Sequence, residues 1–378
     1  MTPRTCAAVA RWLRSALILC QGVGQRRVKQ PGGGLALRTI VIGTGFGRQH
    51  LSWLSECPGA EVRFIGFSSD ERRARELAAE FGVPGVTGDP LAVIESGEVD
   101  AVAVASPPAT HELYVNAAVT AGLTVVSDKP LAADVASAAR IADRAKAAGV
   151  ANAVTFQWRA NTAFRRLKEL VSMGQLGEVV HLDLEFRHDF LAGPTTAWPW
   201  RHRWQTAGGG ALGDMGVHLF DQVRWLVPGD WSATAATASV VWPRRQAIDG
   251  SVAVECETDD VAEVLLSNGT AGARVFVSRV SSGYRTFRVQ VSGTQGVAVL
   301  TADPDDGSAT LTVRSAGSDQ LDVRFGPDAM NPYAALLARD PESASFLDGY
   351  AAQLLVDEAL RLGGATPSVI LTGSLNQI

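Results

Sequence analysis

Short apolar runs alternate with helical patterns through the first half of the chain. The runs are rich in β-branched residues, and several are apolar on both faces, as expected of buried parallel strands. They are predicted at residues 37–42, 61–67, 99–105, 123–127 and 151–156. Helical spacing of apolar residues between them predicts helices at residues 48–55, 70–81, 110–121 and 133–148. This alternation predicts an α/β doubly wound parallel sheet, a Rossmann domain over residues 37–156.

The pattern changes after residue 156. A helix is predicted at residues 163–172, and Leu182, Leu184 and Phe186 then alternate with polar residues, which is typical of a half-buried strand. Similar alternation recurs at residues 235–242, 261–266, 271–279 and 285–292, with a hairpin turn at Asn268-Gly269 and a closing helix at 342–362. We therefore expect residues 157–378 to form an α+β domain with a large, open, mostly antiparallel sheet.

The first 36 residues differ from everything that follows. Six Arg and Lys residues and no acidic residue give residues 1–34 a charge of +6, which leaves −11 for the rest of the chain. The segment ends in Pro31-Gly32-Gly33-Gly34, a flexible breaker. We interpret residues 1–36 as a flexible basic extension or the result of a start codon placed too far upstream; a weak export signal is the less favoured alternative.

Composition excludes several classes of protein. Of the 378 residues, 46% are hydrophobic and 19% are charged, which is a globular composition, and the net charge of −5 argues against nucleic-acid binding. The four cysteines include no CxxC pair, so neither a disulfide framework nor a metal site is expected. No apolar run after the extension is long enough to span a bilayer. We expect a cytoplasmic protein.

A glycine-rich turn follows the first predicted strand. Gly43, Thr44, Gly45, Phe46 and Gly47 lie between a strand and a helix, where the dinucleotide fingerprint is found. The glycines allow backbone N–H groups and the positive helix end to approach a pyrophosphate. Arg48 stands where the fingerprint has its third glycine. The turn predicts nucleotide binding.

The end of the second strand is where such domains bind the adenosine ribose. NAD-selective sites usually place an acidic residue there, but this chain has Ser68 and Ser69, with Arg72 and Arg73 one turn further. The missing carboxylate removes repulsion against a 2′-phosphate, and the arginines can pair with it. The sequence therefore predicts NAD(P), with a slight preference for NADP.

Two later segments carry titratable groups suited to proton transfer. Asp128-Lys129-Pro130 ends a strand, where ligands bind in open parallel sheets, and Lys129 can stabilise charge on a substrate oxygen. Asp214 and His218 are four residues apart, so they share a face if the segment is α-helical. His218 can shuttle a hydroxyl proton, and Asp221 is a possible partner or an exposed charge.

Polar and aromatic side chains near these segments are candidates for the substrate pocket. Tryptophan rings stack on apolar sugar faces, while Arg and Asp bind hydroxyl groups; ordinary packing explains these residues about as well. The candidates are Arg159, Arg187, Asp189, Trp200 and Arg201.

Four motifs in this order resemble the Gfo/Idh/MocA family of oxidoreductases. They are Gly43–Gly47, Ser106–His111, Ser127–Pro130 and Gly208–Asp221. The resemblance implies a Rossmann domain followed by an open-sheet domain that often mediates dimers or tetramers. It also implies transfer of a hydride between NAD(P) and a carbinol carbon of a sugar, inositol or related polyol. It places Ser106, Pro107 and His111 near the nicotinamide ribose, and Asp128 where the family has Glu.

The resemblance also assigns catalytic roles. Lys129 binds the reacting oxygen and shares or replaces proton transfer, His218 takes the hydroxyl proton, and Asp214 fixes the substrate and His218. Two alternatives stay open: an NAD-dependent glycosidase of the same fold, and a nonenzymatic protein that senses dinucleotide or sugar. Reduction of a keto-sugar differs from oxidation of a sugar or polyol hydroxyl mainly in the direction of hydride transfer.

Overall fold

The computed structural model of the protein describes residues 37–317 and 319–364. The extension expected over residues 1–36 lies outside the described residues. Within the described part, no helix is both long and apolar enough to cross a bilayer.

The first domain is built on six parallel strands, which confirms the predicted α/β class. Their order is β3-β2-β1-β4-β5-β6, the arrangement of a doubly wound dinucleotide-binding sheet. The strands are β1 (Leu37–Ile42), β2 (Ala60–Gly66), β3 (Gly85–Thr87), β4 (Ala101–Val104), β5 (Thr124–Ser127) and β6 (Asn152–Val154). Ile40, Val102 and Val125 on the central strands are fully buried, because helices cover both faces of the sheet.

Five helices connect these strands. They are α1 (Gly47–Ser55), α2 (Glu71–Phe81), α3 (Pro90–Glu95), α4 (His111–Thr120) and α5 (Val135–Ala148). Asp70 caps α2 by accepting a hydrogen bond from the Arg73 backbone N–H at 2.8 Å, and Asp134 caps α5 in the same way through Ser137. These caps fix where each crossover helix begins.

The second domain contains an eight-stranded sheet of order β17-β16-β15-β14-β7-β13-β12-β9. All neighbours are antiparallel except β7 and β13, as expected for a mostly antiparallel sheet. The strands are β7 (Val179–Arg187), β9 (Ser232–Ser239), β12 (Val261–Ser267), β13 (Gly272–Ser278), β14 (Thr286–Gly293), β15 (Gly296–Ala302), β16 (Ala309–Ser315) and β17 (Leu321–Phe325). A small second sheet joins β8 (Thr195–Thr196), β10 (Arg244–Ala247) and β11 (Ala253–Glu255).

Helices cover one face of the large sheet and connect it to the first domain. They are α6 (Thr162–Ser172), α7 (Trp204–Ala207), α8 (Val217–Leu226), α9 (Pro332–Leu337) and α10 (Phe346–Leu362), with a π-helical turn at Leu212–Gly216. Leu182, Leu184 and Phe186 point into the core, as their alternation predicts. Helix α10 packs against both α5 and α8, so it holds the two domains together.

Candidate active site

The β1–α1 turn has the backbone shape of a phosphate-binding loop. Gly43 has φ +119°, and a Cβ there would lie 2.4 Å from the carbonyl oxygen of Ala105, so only glycine fits. A Cβ on Gly45 would meet nothing within 4 Å, which leaves open space in front of the α1 N-terminus. Arg48 turns away to pair with Glu80 and lies over the Phe81 ring. Open space at a helix N-terminus fits a pyrophosphate.

The predicted ribose-binding residues lie at the exposed end of β2. Ser68 and Ser69 are exposed. Arg72 and Arg73 both pair with Glu76 on their own helix, at 2.5 and 3.3 Å. Both arginines lie at the surface with their described contacts on Glu76, so the structure adds no support for the predicted preference for NADP.

His111 lies behind the loop that follows β4. It is fully buried, and burial lowers the pKa of its imidazole. A neutral ring that donates from Nε2 to the Ser106 carbonyl oxygen at 2.8 Å can accept at Nδ1 from Ser127 Oγ at 3.2 Å. His111 thus ties this loop, which includes Pro107, to the end of β5. Direct contact of Ser106, Pro107 and His111 with a cofactor stays a prediction.

Lys129 and Asp214 meet at the carboxyl end of the parallel sheet. Lys129 Nζ donates to the backbone oxygen of Asp214 at 2.6 Å and to its Oδ1 at 2.8 Å. Arg201 Nη1 donates to the other carboxylate oxygen, Oδ2. Burial alone would raise the pKa of Asp214, but the Arg201 and Lys129 cations outweigh it and hold that pKa well below its usual range. Asp214 is therefore ionised and shared by two cations.

Asp128, the neighbour of Lys129, is buried beside Thr155, the residue that follows β6. Its Oδ1 accepts a hydrogen bond from Thr155 Oγ1 at 2.5 Å. This bond fixes the segment that carries Lys129.

The glycine-rich segment before His218 forms a π-helical turn rather than the expected α-helix. The Val217 N–H reaches back five residues to the Leu212 carbonyl oxygen. The wider turn changes the relation between Asp214 and His218, and the Asp214 carboxylate bonds to Lys129 and Arg201, not to His218. A local bulge of this kind is frequent at functional sites.

Asp259, which the sequence analysis missed, fixes the start of that segment. Its carboxylate accepts hydrogen bonds from the Gly210 and Leu212 backbone N–H groups at 2.8 and 2.9 Å. A Cβ on Gly210 would lie 1.9 Å from the Asp259 carbonyl oxygen, so the approach requires glycine. Asp259 lies 49 positions from Gly210, and no local pattern connects them.

His218 is a neutral imidazole in an apolar setting. Its side chain is buried and makes an edge contact with Phe156, with ring centroids 5.8 Å apart. Nδ1 is buried without a hydrogen-bond partner. Burial, helped by the charge of Lys129, lowers the pKa of His218 well below its usual value. The ring is therefore neutral at neutral pH and has one unprotonated nitrogen.

The predicted substrate residues divide into two groups. Trp200 lies 4.7 Å from the Arg201 guanidinium, so both belong to the Asp214 cluster. Arg187 pairs with Glu185 and lies over Phe276, and Asp189 accepts from Arg285 at 2.6 Å. Among the described residues, no ion pair or hydrogen bond joins Arg187 or Asp189 to the Asp214 cluster, and their substrate roles stay predictions.

Arg159 forms a buried ion cluster behind the site. It donates to Asp221 at 2.9 and 2.5 Å and to Asp348 at 3.0 Å. Burial raises the pKa of Asp221 to about 6, although Arg159 opposes the shift. The cluster joins the domain junction, α8 and α10. Its geometry favours a role for Arg159 in positioning α8, the helix that carries His218, and does not favour contact of Arg159 with substrate.

Among the described residues, no three His, Cys, Asp or Glu side chains lie where they could together hold a metal ion.

Comparisons with known proteins agree with both domains. Residues 37–156 match the family model described as "Oxidoreductase family, NAD-binding Rossmann fold", and residues 164–299 match "GFO/IDH/MocA C-terminal domain". The chain is 31% identical to inositol 2-dehydrogenase from Acidothermus cellulolyticus over 339 residues, which cover 82% of this chain and 92% of the relative. It is 28% identical to levoglucosan dehydrogenase from Pseudarthrobacter phenanthrenivorans, over 76% of this chain and 78% of that one.

Solved structures share the fold. A levoglucosan dehydrogenase in complex with NADH and L-sorbose superposes with a TM-score of 0.79 at 24% identity, covering 88% of this chain and 97% of that one. GenD2 from gentamicin A biosynthesis, in complex with NAD, superposes with a TM-score of 0.70 at 26% identity, covering 89% and 97%.

Proposed function

Because this chain belongs to the Gfo/Idh/MocA family of NAD-binding oxidoreductases, we propose that it interconverts a carbinol and a carbonyl group on a sugar, inositol or related polyol. The observation that carries the proposal is the contact of Lys129 with Asp214 at the carboxyl end of the parallel sheet, with His218 beside them. A cation, a carboxylate and a neutral imidazole are the groups that proton transfer from an alcohol needs.

The first domain fits a nicotinamide dinucleotide. The backbone from Gly43 to Gly47 would hold the pyrophosphate at the α1 N-terminus, and Ser106 and Pro107 lie on the neighbouring loop after β4. When bound, the nicotinamide supplies the hydride acceptor for oxidation or the donor for reduction.

Lys129 binds and polarises the reacting oxygen. Two of its three N–H groups point to Asp214, so one is left for a substrate hydroxyl. The positive charge stabilises the oxygen as its proton leaves. Asp214 holds the ammonium in place through the two hydrogen bonds.

His218 accepts the hydroxyl proton. Its low pKa keeps the imidazole neutral at physiological pH, and the apolar surroundings exclude competing water. Burial disfavours the imidazolium that this transfer forms. Lys129 is the second group able to carry this proton.

NAD is the better-supported cofactor. The family description names NAD, and the described contacts of Arg72 and Arg73 run to Glu76 on their own helix. The ratio of kcat/KM for NAD and NADP with the same substrate measures the preference directly. NADP, which the Ser68–Ser69 sequence favours, is the alternative.

We also propose assembly into a homodimer or homotetramer through the large sheet. Helices cover one face of this sheet, while the other carries the partly exposed side chains of Arg187, Arg274, Phe276 and Arg288. Light scattering of the purified protein determines the number of subunits.

The direct test is a screen of inositols, aldoses and other polyols with NAD and NADP, following the absorbance of reduced nicotinamide. Net formation of reduced cofactor together with a ketone or lactone product supports a dehydrogenase. Hydrolysis of a glycoside without net reduction would indicate the glycosidase alternative. Binding of cofactor and sugar without turnover would indicate a sensor.

A further inference from the structure

We infer that the free edge of the Arg201 guanidinium binds a carboxylate of the substrate, which narrows the substrate class to sugar acids. The inference rests on the proposed dehydrogenase function and specifies the substrate for the same site.

Arg201 uses only one nitrogen of its guanidinium within the described structure. Nη1 donates to Asp214 Oδ2. Nε is buried and has no hydrogen-bond partner. Nε and Nη2 form the side edge of the group, and no hydrogen bond among the described residues comes from either. A buried N–H without a partner costs free energy unless a ligand satisfies it.

The same edge binds carboxylates elsewhere in this chain. Arg38 donates from Nε and Nη2 to Asp100 at 2.8 and 2.7 Å. Arg140 does so to Glu112 at 2.6 and 2.8 Å. Arg159 does so to Asp221. Two parallel N–H donors match the two oxygens of a carboxylate, and this geometry gives specificity as well as affinity.

Neighbouring groups hold the Arg201 guanidinium in place. It lies 4.7 Å from the Trp200 ring centroid and 5.5 Å from that of Trp198. Thr258 Oγ1 donates to the Arg201 backbone oxygen at 3.0 Å. A guanidinium fixed by stacking loses less entropy when it binds a ligand, so the free edge is preorganised.

The local charge favours a monoanion. Lys129 and Arg201 share the single carboxylate of Asp214, and His218 is neutral, so these four side chains together carry one net positive charge. Asp128 does not neutralise it through a direct bond, since the described contacts of its carboxylate run to Thr155. A carboxylate carries the one negative charge that this cluster lacks.

Lys129 and Arg201 bind opposite oxygens of Asp214. A substrate hydroxyl bound to Lys129 and a substrate carboxylate bound to Arg201 therefore lie on the two sides of the Asp214 side chain. A sugar acid carries both groups in one molecule. A neutral polyol offers a hydroxyl to Lys129 but has no carboxylate to accept hydrogen bonds from the Nε–Nη2 edge of Arg201.

The test compares matched substrates and two variants. We expect kcat/KM for glucuronate or galacturonate to exceed that for glucose or galactose by about tenfold or more, since a lost charged hydrogen bond costs about 1.5–3 kcal/mol. Arg201→Lys keeps a positive charge near Asp214 but removes the paired donors, so this ratio should fall about tenfold. Arg203→Lys, two positions away in the exposed pair with Glu257, is the matched control and should leave the ratio unchanged.

A binding measurement separates the two proposals. Calorimetry with NAD-loaded protein compares cyclohexanecarboxylate with cyclohexanecarboxamide, which have the same ring and no hydroxyl group to oxidise. The inference is supported if the wild type binds the carboxylate more tightly than the carboxamide and Arg201→Lys abolishes this difference. That result would stand even if no sugar is oxidised and the dehydrogenase proposal fails. Oxidation of neutral polyols with no preference for acids, and equal binding of the two probes, overturns the inference and leaves the dehydrogenase proposal standing.

Discussion

Lys129 donates two hydrogen bonds to Asp214, although the two residues are 85 positions apart and belong to different domains. The pair forms because Lys129 follows the carboxyl end of β5 and the π-helical turn carries Asp214 to the same place. Neither side chain is more than 15% exposed, so the pair is only weakly screened by water. This contact joins the NAD-binding domain to the second domain at the candidate active site.

Replacement of Lys129 should therefore separate chemistry from cofactor binding. Lys129→Met removes the cation from the reacting oxygen, and we expect kcat to fall by about 100- to 10,000-fold with little change in cofactor affinity. Steady-state kinetics and calorimetric titration with NAD measure the two effects. Lys146→Met on the exposed face of α5 is the control. A Lys129→Met enzyme with normal kcat would remove Lys129 from the mechanism.

The two glycines of the β1–α1 turn should respond differently to alanine. Gly43→Ala forces a Cβ against the Ala105 carbonyl at a positive φ, so stability should fall by about 1–3 kcal/mol or more. Gly45→Ala meets no protein atom within 4 Å, so it should fold normally and lose cofactor affinity. Urea unfolding and NAD titration distinguish the two.

Gly122→Ala is the control for backbone strain alone, because Gly122 has φ +70° and open space around its missing Cβ. Undiminished NAD affinity in Gly45→Ala would show that the pyrophosphate does not lie against this glycine.

Buried histidines should make the protein less stable in mild acid. Burial lowers the pKa of His50 to about 4, that of His202 to about 3, and those of His111 and His218 below their usual value. Below about pH 6.5 the unfolded chain binds protons that the folded protein does not, so stability is full above pH 6.5 and falls as pH decreases. Each histidine adds a slope of up to about 1.4 kcal/mol per pH unit.

Asp221 acts in the opposite direction. Burial raises its pKa to about 6, so between about pH 4 and 6 the folded protein holds a proton that the unfolded chain has lost, which offsets about one histidine. Urea unfolding midpoints at pH 7, 6 and 5 measure the combined effect of the buried histidines and Asp221 on stability. A free energy of unfolding that is constant or rises from pH 6.5 to 5 would contradict the neutral, buried state of these rings.

Arg159 should matter chiefly for structure. Arg159→Met leaves Asp221 buried without its partner, and we expect a loss of about 3–5 kcal/mol in stability. Arg244→Met breaks a well-exposed pair with Glu255 and should cost less than about 1 kcal/mol. Denaturant unfolding compares them. A higher KM for the substrate in Arg159→Met, with unchanged KM for NAD and unchanged stability, would instead place Arg159 in the substrate site.

The sequence predicts the long helices and most strands of the first domain well because their periodicity is local. β3 and α3 were missed, since three and six residues are too short to show a period. In the second domain, the short strands β8, β10 and β11 and the longer strands β15, β16 and β17 were also missed. The π-helical turn at Leu212–Gly216 was also missed, because it depends on Asp259 binding Gly210 and Leu212 from a distant loop. The Arg201–Asp214 pair and the Arg159 cluster likewise arise from tertiary contacts that no local pattern contains.

The most direct measurement is turnover by the wild type and by His218→Ala with the same sugar, polyol or sugar acid and NAD. The proposed dehydrogenase mechanism predicts equal amounts of carbonyl product and reduced nicotinamide from the wild type. In His218→Ala, turnover should fall by about 100-fold or more while NAD affinity is retained. Unchanged turnover in His218→Ala, or glycoside hydrolysis by the wild type without net reduced nicotinamide, would contradict it.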